Sequence, residues 1–253
     1  MVTASANAIT FGVPDDGAHP YVGTLLFVQN GEGYYSCSGT LLAPTVMLTA
    51  GHCVEEFGNV NDVTYVRFEE DALAGRGDYG TTQEWLDAEW ILADEVIPHP
   101  QYNDFAEFPL TYDAGLVILS EPVVMAEYGV LPPEGFLETV SKKDTFTAVG
   151  YGMQGYINPF YSDIYARYKG TVSLIELRSH LTGGQSAKFT NNPGNGTGSG
   201  GTCFGDSGGP VFYDDSNMIV AVVSWGNTPC IGVDFQFRID TPVALDFIYE
   251  NWQ

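Results

Sequence analysis

Gly205-Asp206-Ser207-Gly208-Gly209-Pro210 is the stretch from which the rest of the chain is best read. A serine flanked by glycines and preceded by an acid stands on a tight turn, with backbone N–H groups beside its hydroxyl to receive a developing oxyanion. Such a serine needs a base. Working outward toward the N-terminus, Asp113-Ala114-Gly115-Leu116-Val117-Ile118-Leu119 sets an acid at the head of an apolar strand, and Thr49-Ala50-Gly51-His52-Cys53 sets a histidine where another apolar strand ends. In chain order the three candidate catalytic residues are His52, Asp113 and Ser207.

The segments between these motifs are short and rich in β-formers. Tyr21–Val28, Ser36–Leu42 and Val46–Thr49 each read as a strand bounded by glycine or proline. Together they predict an all-β, barrel-like architecture. Near the C-terminus Thr241 is a helix cap and Pro242 a first-turn residue, opening an amphipathic helix with Val243, Leu245, Phe247 and Ile248 on its apolar side.

The order His, Asp, Ser with these flanks resembles the chymotrypsin and trypsin family of serine endopeptidases, over a span from about Ile9 to Gln253. The resemblance implies two six-stranded antiparallel β-barrels and a C-terminal helix. Residues 1–8 are expected to be a leader remnant, 9–130 a first barrel carrying His52 and Asp113, and 131–253 a second barrel carrying Ser207. The boundary falls at the proline-bearing Leu131-Pro132-Pro133. The implied activity is peptide-bond hydrolysis through an acyl-enzyme, with His52 as base, Asp113 orienting it, and the N–H groups of Gly205 and Ser207 forming the oxyanion hole. Protein or peptide substrates, proteinaceous inhibitors, a monomeric state and a secreted or periplasmic location follow from the same likeness; no organic cofactor does.

Four cysteines, Cys37, Cys53, Cys203 and Cys230, lie in two local pairs beside the candidate catalytic residues, without C-x-x-C spacing. They read as disulfides formed in an oxidising compartment. A zinc site is the alternative, though His52 alone among the histidines adjoins a cysteine. The resemblance favours Cys37–Cys53 and Cys203–Cys230.

The resemblance also implies an activation device and a substrate pocket. Ile9-Thr10-Phe11-Gly12 is similar to a mature N-terminus, whose freed ammonium would pair with Asp206; Thr10 stands where valine is familiar, and Ala6-Asn7-Ala8 has the form of a secretory cleavage site. Gly201, Thr202, Phe204, Ser224, Trp225 and Gly226 are the expected substrate-binding residues, with Ser224 also bonding Asp113. Gly201 occupies the position at the pocket base where trypsin-like members carry an aspartate. After Cys230 the chain runs about one residue short, so Phe235 fills the pocket and favours large apolar or aromatic side chains, or Asp234 enters it and favours lysine and arginine. Tyr151 replaces the tryptophan of a Gly-Trp-Gly segment. Carboxylates at Glu69-Glu70-Asp71 suggest a calcium loop by analogy, but a solvated acidic loop fits their spacing better. His99 and His180 are assigned no chemistry.

Acids outnumber bases 32 to 9 in the 253 residues, for a formal charge of −23. That balance disfavours nucleic acid and anionic membranes as partners, and no apolar run reaches the roughly 20 residues of a membrane span. Two other classes fit the sequence less well. Gly205–Gly209 also satisfies the G-x-S-x-G elbow of α/β-hydrolase esterases, but those place the histidine after the serine, whereas His19, His52, His99 and His180 all precede Ser207. A silent binding protein on the same fold requires loss of a triad residue, and none is lost.

Overall fold

A computed structural model of the chain describes residues 9–29, 32–56, 59–60, 62–153, 156–157, 160–161, 165–191, 200–228 and 230–252. The leader and its cleavage motif, positions 158–159 and 162–164, and positions 192–199 of a glycine- and asparagine-rich run lie outside the described residues. The strands of the first half are β1 (Val13–Pro14), β2 (Val22–Gln29), β3 (Glu32–Ala43), β4 (Val46–Thr49), β5 (Glu55–Glu56), β6 (Asn59–Val60), β7 (Val63–Arg67), β8 (Ile91–Pro98) and β9 (Gly115–Leu119). Those of the second are β10 (Phe146–Gly150), β11 (Tyr156–Ile157), β12 (Phe160–Tyr161), β13 (Tyr168–Val172), β14 (Leu174–Glu176), β15 (Ser186–Asn191), β16 (Pro210–Tyr213), β17 (Ile219–Gly226) and β18 (Gly232–Arg238). The α-helices are α1 (Gly51–Val54), α2 (Thr82–Glu89) and α3 (Pro242–Asn251), with short 3-10 turns at Arg76–Asp78 and Phe136–Glu138.

The first half closes into a six-stranded antiparallel barrel, in the order β2-β3-β4-β9-β8-β7. The second half forms the counterpart of the expected second barrel as a curled, half-closed sheet. It is a curled sheet of eight strands, β1-β13-β10-β16-β17-β18-β15-β14. Two physical features account for the count of eight. Ser173 interrupts what would be one strand, so β13 pairs with β10 while β14, one residue on, pairs with β15 at the opposite end of the sheet. Ser173 itself bonds Thr190 of β15 in both directions, through its N–H to Oγ1 at 2.9 Å and its carbonyl from N–H at 3.0 Å. The extra edge strand β1 comes from the N-terminal segment, which reaches across to pair with β13.

One apolar cluster fills the barrel and runs on into the second half, joining Leu25, Leu41, Met47 and Leu116 to Tyr151, Phe212, Phe237 and the inner side of α3. A second cluster, with Phe146, Phe189 and Val211, lies inside the curled sheet and takes in Ile9. Helix α3 starts where the sequence indicates, with the Thr241 hydroxyl accepting from the Ala244 N–H. Helix α2 lies between the acidic stretch Glu69-Glu70-Asp71 and β8. Its start is a complete capping box, in which Thr81 Oγ1 accepts from Glu84 N–H and the Glu84 carboxylate from Thr81 N–H.

Candidate active site

His52 sits in the single turn α1, at the end of β4, and Asp113 just before β9, the strand that pairs with β4. That pairing brings the two side chains together. His52 Nδ1 lies 2.9 Å and 3.1 Å from the two Asp113 carboxylate oxygens, and the His52 backbone N–H donates to Oδ1 at 2.9 Å. The Ser224 hydroxyl donates to Oδ2 at 2.5 Å. A register shift between Val223 and Trp225 in the β17–β18 ladder puts Ser224 in that position, as bulges commonly re-aim a side chain. Asp113 is wholly buried. Burial alone would raise its carboxyl, but the His52 charge and these hydrogen bonds outweigh burial and hold it below the usual carboxylate range.

Ser207 stands on the turn before β16. Gly205 has φ of +93°, a conformation glycine adopts without strain. Among the described residues no acceptor takes the N–H groups of Gly205 or Ser207. The turn is tied to the first barrel by Ser38, whose N–H donates to the Ser207 carbonyl at 2.8 Å and whose hydroxyl donates to the Gly205 carbonyl at 2.9 Å.

A cleft of about 360 Å³ opens between the halves, and both His52 and Ser207 line it. Of the residues expected to contact substrate, Thr202, Phe204, Ser224, Trp225 and Gly226 line it too. Gly201 does not, because Asn191 fills that place: a Cβ on Gly201 would fall 1.8 Å from Asn191 Oδ1. Phe235 is also absent from the lining and stacks behind Trp225, with ring centroids 3.8 Å apart and planes at 2°. The sequence reading missed Asn191, Ser38 and an aromatic rim in which Phe108 meets Trp225 edge-on at 5.2 Å and Phe105 lies 6.2 Å from His52. Two phenylalanines in the otherwise polar stretch 103–108 were the available signal for the rim. Asn191 sat at the edge of a low-complexity run and gave none.

Ile9 is fully buried, and Thr10 exchanges two backbone hydrogen bonds with Gly201, at 2.8 Å and 3.1 Å. The Asp206 carboxylate accepts from Gly152 N–H at 2.8 Å and Cys203 N–H at 2.9 Å. Burial pushes its carboxyl up to about 7 despite those donors, with the Asp234 charge adding to the rise. The cysteines pair as Cys37–Cys53 and Cys203–Cys230.

His99 is buried against Tyr112 and Phe247, and burial lowers its pKa. His180 is exposed. Near the acidic stretch, Glu70 Oε1 accepts from Asp16 N–H and Asp71 Oδ1 from Leu73 N–H, each at 2.9 Å. Among the described residues the grouping of three metal-type ligands is Cys37, His52 and Cys53, whose sulfurs are joined to each other.

A closed barrel, a curled sheet and a cleft between them lined by His52 and Ser207, with Asp113 buried behind His52, give the chain a chymotrypsin-like fold. A profile of the Trypsin family matches residues 11–248, so the chain belongs to the trypsin family of serine endopeptidases. Human chymotrypsin-like elastase family member 1 is 25% identical over 191 residues, which cover 74% of this chain and 68% of that protein. The phenoloxidase-activating enzyme of Bombyx mori is 24% identical over 98% of this chain, which spans only 59% of that relative. Kallikrein 1-related peptidase b3 of Mus musculus is 27% identical, with 78% of this chain and 72% of the relative covered. A solved structure of HL collagenase matches in fold, with a TM-score of 0.72 over 97% of each chain at 18% identity.

Proposed function

We propose that this chain is a secreted endopeptidase whose chemistry is carried by Ser207, His52 and Asp113. The observation that carries the reading is the fixation of His52 by a fully buried Asp113, itself held by Ser224. With Nδ1 committed to the carboxylate, Nε2 is the ring nitrogen that exchanges a proton with Ser207. The serine oxygen attacks the peptide carbonyl as its proton passes to His52, and the imidazolium is stabilised by the adjacent Asp113 charge. The N–H groups of Gly205 and Ser207 receive the oxyanion. His52 then returns the proton to the leaving amine, and water releases the acyl group by the same route in reverse. Two disulfides support an oxidising, extracytoplasmic setting. The apolar side of the cleft, left open at Gly226, accepts a large side chain before the scissile bond.

The test is hydrolysis of casein and of peptide amides by the native chain and by Asp113→Asn. The variant keeps the shape of the site but favours the wrong histidine tautomer, so kcat should fall by about four orders of magnitude with KM little changed. A native chain that cleaves no peptide amide would overturn the proposal and favour a binding role.

A further inference from the structure

Away from the cleft, a group of buried donors lies where α2 packs on β7. Arg67, the last residue of β7, is 5% exposed, and Trp85 of α2 is 3% exposed. The Arg67 guanidinium lies 5.4 Å from the centre of the Trp85 ring, and that of Arg76 lies 5.9 Å from the same ring. Trp90, which caps the end of α2, meets Trp85 edge-on with ring centroids 5.3 Å apart. Arg67, Trp85 and Trp90 therefore form one contiguous group.

Four N–H groups in it are buried with no acceptor among the described residues: Nε and Nη1 of Arg67, and the indole nitrogens of Trp85 and Trp90. Arg67 Nη2 has a partner, Glu89 Oε2, but at 3.4 Å. Charge-assisted hydrogen bonds of this kind normally close to about 2.7–2.9 Å. The other Glu89 oxygen accepts the Tyr79 hydroxyl at 2.6 Å. The remaining acids of α2 are engaged along the helix itself, Glu84 with the Thr81 N–H at 3.0 Å and Asp87 with Gln83 Nε2 at 2.6 Å.

Neither a guanidinium nor an indole N–H can accept a hydrogen bond, so the group is made of donors alone. Buried donors left unserved are costly, and charged ones most of all. A water would accept from one or two of them, bring two protons of its own, and leave the guanidinium charge uncompensated. A small anion accepts from every side and supplies the opposite charge. The placement also runs against the balance of the chain. Two of its nine lysines and arginines stand at one tryptophan ring in a molecule of formal charge −23.

We propose that Arg67, Trp85 and Trp90 form an internal site for a small inorganic anion of halide size, between β7 and α2, with Arg76 adding positive charge beside it. Burial of all four donor atoms limits the guest to that size. Bound there, the anion ties residues 82–89 to the first barrel. The site is separate from the catalytic cleft, which none of these residues lines.

The experiment replaces sodium gluconate stepwise by sodium chloride at constant ionic strength, so that general screening stays fixed. It follows the thermal unfolding midpoint of the full-length Ser207→Ala chain, which cannot digest itself. The midpoint should rise saturably, by about 5 °C once chloride exceeds its dissociation constant 100-fold. Arg67→Gln should abolish the rise. Trp85→Phe keeps an aromatic ring and loses the indole N–H, so it should weaken chloride binding by about 10-fold, the worth of one hydrogen bond to a charged group. If circular dichroism shows that Arg67→Gln does not fold, Trp85→Phe decides alone. Crystals soaked in bromide give the location, with an anomalous peak expected within hydrogen-bonding distance of Arg67 and an indole nitrogen. A midpoint indifferent to chloride, a rise undiminished in the variants, or a water beside Arg67 where bromide should stand would each overturn the proposal. None of these readouts needs catalysis, so they stand apart from the test of peptide hydrolysis.

Discussion

Ser38 couples the two halves of the site through one buried hydroxyl. Its Oγ donates to the Gly205 carbonyl and accepts from the Tyr151 N–H, each at 2.9 Å, while its backbone N–H holds the Ser207 carbonyl. Ser38→Ala strips the Gly205 carbonyl and the Tyr151 N–H of this partner, which should destabilise the fold by about 1–3 kcal/mol. It should also lower kcat more than KM, because the peptide units presenting the Gly205 and Ser207 N–H groups lose their brace. Urea unfolding and amide hydrolysis measure the two effects; a variant with unchanged kcat would show that Ser38 is structural only. None of this was visible in the sequence, where Ser36-Cys37-Ser38-Gly39 offers two equivalent serines. His52, Asp113 and Ser207 were visible because each sits in a motif whose flanks restrict its neighbours. The pocket side chains were not, since Gly201 and Asn191 compete for one place and only packing shows which fills it.

At the scale of elements, a buried polar hub clasps the N-terminal segment to both halves. Asp15 accepts from Arg167 Nε at 2.9 Å and from the His19 backbone N–H at 2.8 Å, with His19 Nδ1 against its other oxygen at 2.5 Å. Arg167 Nη1 reaches the carbonyls of Val22 and Phe68 and the hydroxyl of Tyr151. Tyrosine in place of tryptophan in the Gly-Tyr-Gly segment thus has a reason: its hydroxyl also donates to the Glu69 carbonyl at 2.8 Å. Burial works against the Asp15 charge, but His19 and Arg167 prevail and lower its carboxyl from 3.8 to about 2. A depressed folded-state pKa adds stability that is full above the unfolded value near 4 and is lost as pH falls through about 2. Asp15→Asn leaves Arg167 buried without its counter-charge, so it should cost about 3–5 kcal/mol at neutral pH and less in strong acid. Denaturant midpoints across that range test it, and a loss that does not shrink in acid would exclude the ion pair as its source. Helix α2 teaches a related lesson. Its capping box, Thr81 with Glu84, is written in the sequence, but no helix was read from it.

For the whole molecule, the barrel, the C-terminal helix and the cleft between the halves were legible because strand punctuation and the Thr241-Pro242 start are local signals. The eight-stranded curl was not, because it depends on a strand broken at Ser173 and on Val13–Pro14 crossing to a distant edge. The crossing segment also buries Ile9 and pairs Thr10 with Gly201, next to the turn that carries Asp206 and Ser207. With a formal charge of −23, two acids are nonetheless buried together beside the cleft, where burial favours their neutral forms at mildly acid pH. The proposed chemistry converges on one serine. The most direct measurement is therefore the intact mass of the chain after reaction with a serine-directed phosphonylating reagent, alongside Ser207→Ala. One adduct on the native chain, absent from Ser207→Ala, is the predicted result; no adduct, or one that persists without Ser207, would contradict the account.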